Sequence, residues 1–176
     1  PSVLVVMGAM VIALGVAALI GMFNGFLRRR IGVPTFISSL AMMATLAKVG
    51  FPQSTTYYAW RNERWEREEY MEELSTQTAD YMRPSFWPTT HDILTPYMQK
   101  GGLPAFAIRA VLAATGAPTF GIYSGYELVE NVPRPGFEEQ IDNEKYEFKP
   151  RNWQAAESTG LPSLLGTLNG IRKRHT

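Results

Sequence analysis

The sequence predicts a parallel α/β fold preceded by an apolar helical segment. From residue 51 onward, short runs of β-branched and aromatic residues alternate with longer stretches of helical periodicity, which is the rhythm of strands joined by helical crossovers. The first 27 residues carry no charge. The rest of the charge is divided accordingly: residues 1–47 hold three arginines and no acid, and residues 48–176 hold the other 14 basic and all 16 acidic residues.

The opening run, PSVLVVMGAMVIALGVAALIGMFNGFL, predicts one continuous helix over residues 3–27. About 20 apolar residues suffice for a helix to cross a bilayer, and Gly8, Gly15, Gly21 and Gly25 are frequent in membrane helices and costly in soluble ones. Arg28, Arg29 and Arg30 follow the run, as expected at a cytoplasmic end and opposite to the order in a secretory signal. A membrane span is therefore expected, with a buried soluble helix as the alternative. Residues 31–47 are apolar again, and Gly50 reads as the stop of a helix ending there.

Thr55, Thr56, Tyr57, Tyr58 and Trp60 predict the first strand, over 55–60. In WEREEYMEELSTQTADYM, Met71, Leu74, Thr78 and Met82 share one helical face, so a helix is expected there, ended by Arg83-Pro84. Phe86 and Trp87 form the second strand candidate, followed by the loop Pro88-Thr89-Thr90-His91-Asp92. GGLPAFAIRAVLAATGAP predicts a helix with Gly102 as cap, Pro104 in its first turn and Gly116 and Pro118 as terminators. Thr119–Tyr123 is the third strand, and Ser124-Gly125 a turn. Residues 126–153 read as a long ordered loop. Leu164, Leu165, Leu168 and Ile171 mark a final amphipathic helix.

A net charge of +1 gives no field for nucleic acid. No cysteine is present, so disulfides, thiolate nucleophiles and cysteine-held metals are excluded, and two histidines exclude a histidine-rich metal site. The first residue is Pro1, so the chain is expected to be cut from a longer protein. Among residues suited to chemistry, Asp92 follows a strand, the position at which parallel barrels place their sites, although a lone loop aspartate also serves as a turn or cap.

Four stretches carry a resemblance: LAKVGFPQSTTYYAWRN, YMRPSFWPTTHDIL, GLPAFAIRAVLAATGAPTFGIYSGYELVEN and IDNEKYEFKPRNW. In this order and spacing they resemble the C-terminal part of the catalytic barrel of α-1,4-glucan:maltose-1-phosphate maltosyltransferases, in the α-amylase superfamily. The resemblance implies an incomplete (β/α)8 barrel over residues 44–176, with about the last three strands. It implies a retaining transfer of maltosyl units from α-maltose 1-phosphate to α-1,4-glucan, without metal or organic cofactor, by an enzyme that is cytoplasmic and homodimeric at full length. Asp92 then matches the transition-state stabiliser, and His91, Lys145 and Tyr146 match sugar-binding positions. Taken alone, Lys145 and Tyr146 read as a solvated charge and a surface aromatic, and His91 as a loop residue bonded to backbone. Tyr123, Tyr126 and Glu127 are expected to support the site. Asp92, Lys145 and Tyr146 should converge at the C-terminal ends of the three strands.

A second resemblance covers residues 1–43. GMFNGFLRRRIGVPTFISSLAMM is similar to the membrane permease of a ribose-type sugar ABC transporter, which implies membrane contact through residues 1–40 and an alternative reading of the chain as a permease fragment. The two resemblances meet at residues 38–46. In the maltosyltransferases the nucleophile and the acid/base lie on strands before the matched region. No Asp or Glu occurs in residues 1–47, so the chain as given is expected to be inactive.

Overall fold

The computed structural model describes residues 45–143 and 148–175 continuously and, before them, Met7, Gly8, Val11, Ile12, Gly15, Ala18, Leu19, Met22 and Met43. The chain forms two compact units, Pro1–Gly50 and Phe51–Thr176.

In the first unit the nine early residues are all helical. The remainder of the helix expected over 3–27 lies outside the described residues. Residues 45–48 are helical and are stopped as expected at Gly50, whose φ of 108° is left-handed and suits glycine. Among the described residues no helix is long and apolar enough to cross a membrane, so the expected span finds no support.

The second unit is α/β. Its sheet has three parallel strands in the order β1 (Gln53–Thr55), β2 (Arg83–Phe86), β3 (Thr119–Phe120). Gln53 pairs with Arg83, and Ser85 with Thr119. Helix α1 (Arg64–Ser75) lies between β1 and β2 in sequence, α2 (Pro96–Gly116) between β2 and β3, and α3 (Leu161–His175) ends the unit.

Strands β1 and β2 begin earlier than the sequence suggests, and β1 and β3 are shorter. Tyr57–Trp60, expected as strand, is a 3₁₀ turn after β1. Its backbone leaves the sheet because Tyr58 is better placed inward: the ring stacks on Phe86 at 4.3 Å, and the hydroxyl donates to the Arg109 carbonyl at 3.0 Å. Trp87 falls just beyond β2, and residues 121–123 beyond β3.

Helix α1 starts where the Glu66 carboxylate accepts the backbone N–H of Glu63 at 3.0 Å and of Asn62 at 3.2 Å. It stops at Ser75, short of the expected 82. The hydroxyls of Ser75 and Thr76 both donate to the Glu72 carbonyl, which offers the backbone an alternative to another helical turn. Thr78 and Met82 are buried all the same, from the turn that follows. Arg83-Pro84 therefore opens β2 instead of closing the helix.

Helix α2 begins at Pro96, after Thr95, and is broken at Gly102, which is non-helical; Pro104 then sits in the first turn of the second segment, where its missing N–H costs nothing. Its small residues Ala105, Ala110, Ala113 and Ala114 let it approach both the sheet and α3. One core cluster joins Phe106 and Ala110 of α2 to Leu161, Leu165 and Leu168 of α3 and to Tyr126. The other places Phe86 between Tyr58 and Tyr70, under Ala113 and Ala117. Each buried Leu or Phe contributes about 1.5–3 kcal/mol. Arg172 of α3 closes the C-terminal end of α2 by donating to the carbonyls of Ala114 (2.6 Å), Ala117 (2.9 Å) and Pro118.

Candidate active site

The loop carrying His91 and Asp92 leaves the C-terminal end of β2 and returns to α2 at Thr95. Both ends are anchored, since Thr89 and Thr95 are buried. Between them the backbone turns, with the Thr90 N–H donating to the Ile93 carbonyl at 3.1 Å. Asp92 sits at the outside of this turn. Its side chain is 59% exposed, and its Oδ1 accepts the Thr90 hydroxyl at 2.5 Å.

His91 Nδ1 lies 3.8 Å from the same Asp92 oxygen, and its ring centroid is 6.3 Å from that of Tyr123, just past β3. The loops after β2 and β3 thus meet, as expected of C-terminal strand ends in a parallel sheet. The His91 carbonyl accepts from the Gln140 N–H at 3.1 Å and from Asn143 Nδ2 at 3.2 Å.

Residues 130–143 form a second layer over this loop. An antiparallel bridge joins Pro133 to Gln140, the Leu94 N–H donates to the Glu138 carbonyl at 2.6 Å, and the Gln140 side chain donates to the Thr90 carbonyl at 3.2 Å. Trp60, after β1, donates its indole N–H to Glu138 at 3.2 Å. All three strand ends are therefore tied into one surface.

Lys145 and Tyr146, and with them their expected convergence with Asp92, lie outside the described residues. The chain on either side of them is fixed. Asn143 reaches His91, and Lys149 Nζ lies 3.2 Å from the Ile141 carbonyl and 3.4 Å from Glu130. Arg151 makes a two-pronged pair with Glu130 at 2.8 and 3.0 Å, and that hydrogen bonding holds the guanidinium's pKa above its ordinary value. The pair presses on Gly125, whose φ of 95° and lack of Cβ are both required there.

Tyr126 proves to be core: it is fully buried, and its hydroxyl donates to the Phe106 carbonyl at 2.6 Å. Burial pushes its pKa well above the usual tyrosine value. Glu127 accepts Thr159 through its backbone carbonyl. Thr90, Gln140 and Asn143 are not among the residues that the sequence singles out for the site. A Thr two residues before an Asp is a signal for the first, whereas a lone Gln in a polar loop carries none.

A cavity of about 520 Å³ opens at the other end of the sheet, by Met82, Arg83 and Pro118, away from all of these residues. Among the described residues no group of three or more His, Asp or Glu side chains is placed to hold a metal ion.

Fold and loops together define a piece of a parallel α/β domain that carries its candidate site beyond the C-terminal strand ends. No family model matches the chain. Curated relatives give the piece a context. The chain is 66% identical over 134 residues, 76% of its length, to an α-1,4-glucan:maltose-1-phosphate maltosyltransferase of Arcanobacterium haemolyticum, and 59% identical over 138 residues, 77% of its length, to α-1,4-glucan:maltose-1-phosphate maltosyltransferase 2 of Streptomyces coelicolor. The maltosyltransferase of Mycolicibacterium smegmatis is 48% identical over 138 residues. These stretches are 19%, 21% and 20% of the three relatives, so the chain spans about a fifth of the length of the curated relatives it matches. They lend no support to the permease resemblance of residues 1–43.

Proposed function

We propose that residues 44–176 are a piece of the catalytic barrel of an α-1,4-glucan:maltose-1-phosphate maltosyltransferase, contributing three strands and part of the sugar site. The observation that carries this reading is the 66% identity over 134 residues. The loop geometry supports it. A retaining transfer passes through an oxocarbenium-like state, and an exposed carboxylate held by a neighbouring hydroxyl is suited to stabilise that charge while binding sugar hydroxyls. Asp92 takes this role. His91 offers ring nitrogens to the same sugar, Lys145 an ammonium and Tyr146 a hydroxyl and a stacking face. The substrates are α-maltose 1-phosphate and an α-1,4-glucan.

The nucleophile and the acid/base belong to strands that this chain does not supply, and residues 1–47 contain no carboxylate to replace them. A polypeptide of this sequence therefore releases no phosphate from α-maltose 1-phosphate. Turnover within about a hundredfold of a complete relative would refute that, since each missing catalytic group is worth several powers of ten.

The positive test is a chimera in which residues 51–176 replace the matching stretch of the Streptomyces coelicolor relative. It should transfer maltosyl units, and Asp92→Asn in it should lower kcat by about a thousandfold, the scale of losing a preorganised charge partner in the transition state. An Asp92→Asn chimera within about tenfold of its parent would remove Asp92 from the chemistry.

A further inference from the structure

We infer that Gln140 is a positioning residue for Asp92, acting through Thr90. The inference rests on the reading that Asp92 works at the reacting sugar.

Asp92 is too exposed for packing to fix its side chain. Its one hydrogen-bonding anchor among the described side chains is the Thr90 hydroxyl. What fixes Thr90 is therefore what aims Asp92. The Thr90 N–H closes the turn on Ile93, and the Thr90 carbonyl accepts from Gln140 Nε2 at 3.2 Å. Gln140 also donates its backbone N–H to the next carbonyl, that of His91, at 3.1 Å. One residue thus grips two successive peptide groups of the loop.

Gln140 itself is only 4% exposed. A buried amide is costly to desolvate, and an apolar side chain of the same size would suit simple packing better. Its base is rigid: the bridge to Pro133, the Ile141 N–H to the Val132 carbonyl at 3.1 Å and the Arg134 N–H to the Glu139 carbonyl at 2.8 Å hold it in register. The amide is spent on the one carbonyl whose residue carries the hydroxyl bonded to Asp92. That placement is what a device for orientation requires, because a carboxylate displaced by about 1 Å loses about a hundredfold in rate.

The experiment uses Gln140→Met, which keeps length and removes the donor. In the 176-residue chain, hydrogen exchange of the Thr90 and Leu94 amides should quicken about tenfold or more, the scale of one lost hydrogen bond, while amides of residues 105–114 in α2 stay as they are. In the chimera described above, the substitution should lower kcat about ten- to a hundredfold and leave KM for α-maltose 1-phosphate within about threefold. Combined with Asp92→Asn, it should add nothing further, since both act at one carboxylate. Three results would overturn the inference: unchanged exchange in the loop, a general quickening that includes α2, or losses that multiply in the double variant. An inactive parent chimera counts against the proposed function instead, and the exchange measurement then decides the loop's dependence on Gln140 alone.

Discussion

Replacing Tyr58 by phenylalanine should make the protein less stable at neutral pH and more stable in strong alkali. Tyr58 is 1% exposed, its ring stacks on Phe86, and its hydroxyl donates to the Arg109 carbonyl at 3.0 Å. Tyr58→Phe keeps the stacking and loses the hydrogen bond, a cost of about 1 kcal/mol. Burial, eased in part by the Arg109 charge, pushes the phenol's pKa up to about 12 from 10.0. A raised folded-state pKa gives stability that is fully present below the unfolded value and is lost as pH rises through the folded one. Between pH 10 and 12 the wild type should therefore give up about 2 kcal/mol through this residue, and the variant none of it. The two stabilities should cross between about pH 10.5 and 11, where the ionisation loss has grown to match the missing hydrogen bond. Burial also raises the pKa values of Tyr70 and Tyr126, but those groups titrate in both proteins, so the difference isolates Tyr58. The assay is urea unfolding followed by far-ultraviolet circular dichroism from pH 8 to 12. Parallel stability curves over that range would refute the reasoning, since the phenol would then be as free to ionise in the folded chain as in the unfolded one.

Two further substitutions probe how the loops and helix ends are held. Gly125→Ala forces a Cβ against Glu130 and Arg151 at a left-handed φ of 95°, and should cost about 1–3 kcal/mol in urea unfolding; a neutral result would mean that the Glu130–Arg151 pair yields freely. Arg172→Ala uncaps three carbonyls at the end of α2 and should cost a similar amount, about 1–3 kcal/mol, with Arg172→Lys restoring only part of it because one ammonium cannot span all three; full recovery with lysine would reduce the cap to a matter of charge.

The second half of the unit was legible in the sequence because its signals are local. Gly102, Pro104, Gly116 and the leucines of α3 act through backbone conformation and periodicity alone; Gly116 and the leucines stand as expected, while Gly102, expected to cap the helix, instead breaks one that already begins at Pro96. The first half was less so because long-range contacts decide it. Tyr57 and Tyr58 suit a strand by propensity, but the reach from Tyr58 to Arg109 spans 51 positions and no local pattern announces it. The Met71–Met82 pattern continues past Ser75 because Thr78 and Met82 are buried, and periodicity does not tell a buried turn from a buried helix. At the candidate site, Asp92 was placed correctly beyond β2 by the chain's strand–loop–helix order. Gln140 was not found, since its burial depends on a bridge to Pro133 that the polar sequence around it does not advertise.

The parallel pairing of the sheet sets the order in which the unit can be assembled as it leaves the ribosome. Gln53 meets Arg83, and Ser85 meets Thr119, so each strand waits about thirty residues for its neighbour, the length of a strand, a helix and two connections. While β1 waits, α1 is the structure that can form beside it, with its start fixed by Glu66 and its end by Ser75 and Thr76, all within the segment itself. Tyr58 and Tyr70 gain their stacking partner only when Phe86 arrives to lie between them. Arg172 comes last, and only its arrival closes the carbonyl end of a helix completed more than fifty residues earlier. Until α3 is made, that helix end stays open to water.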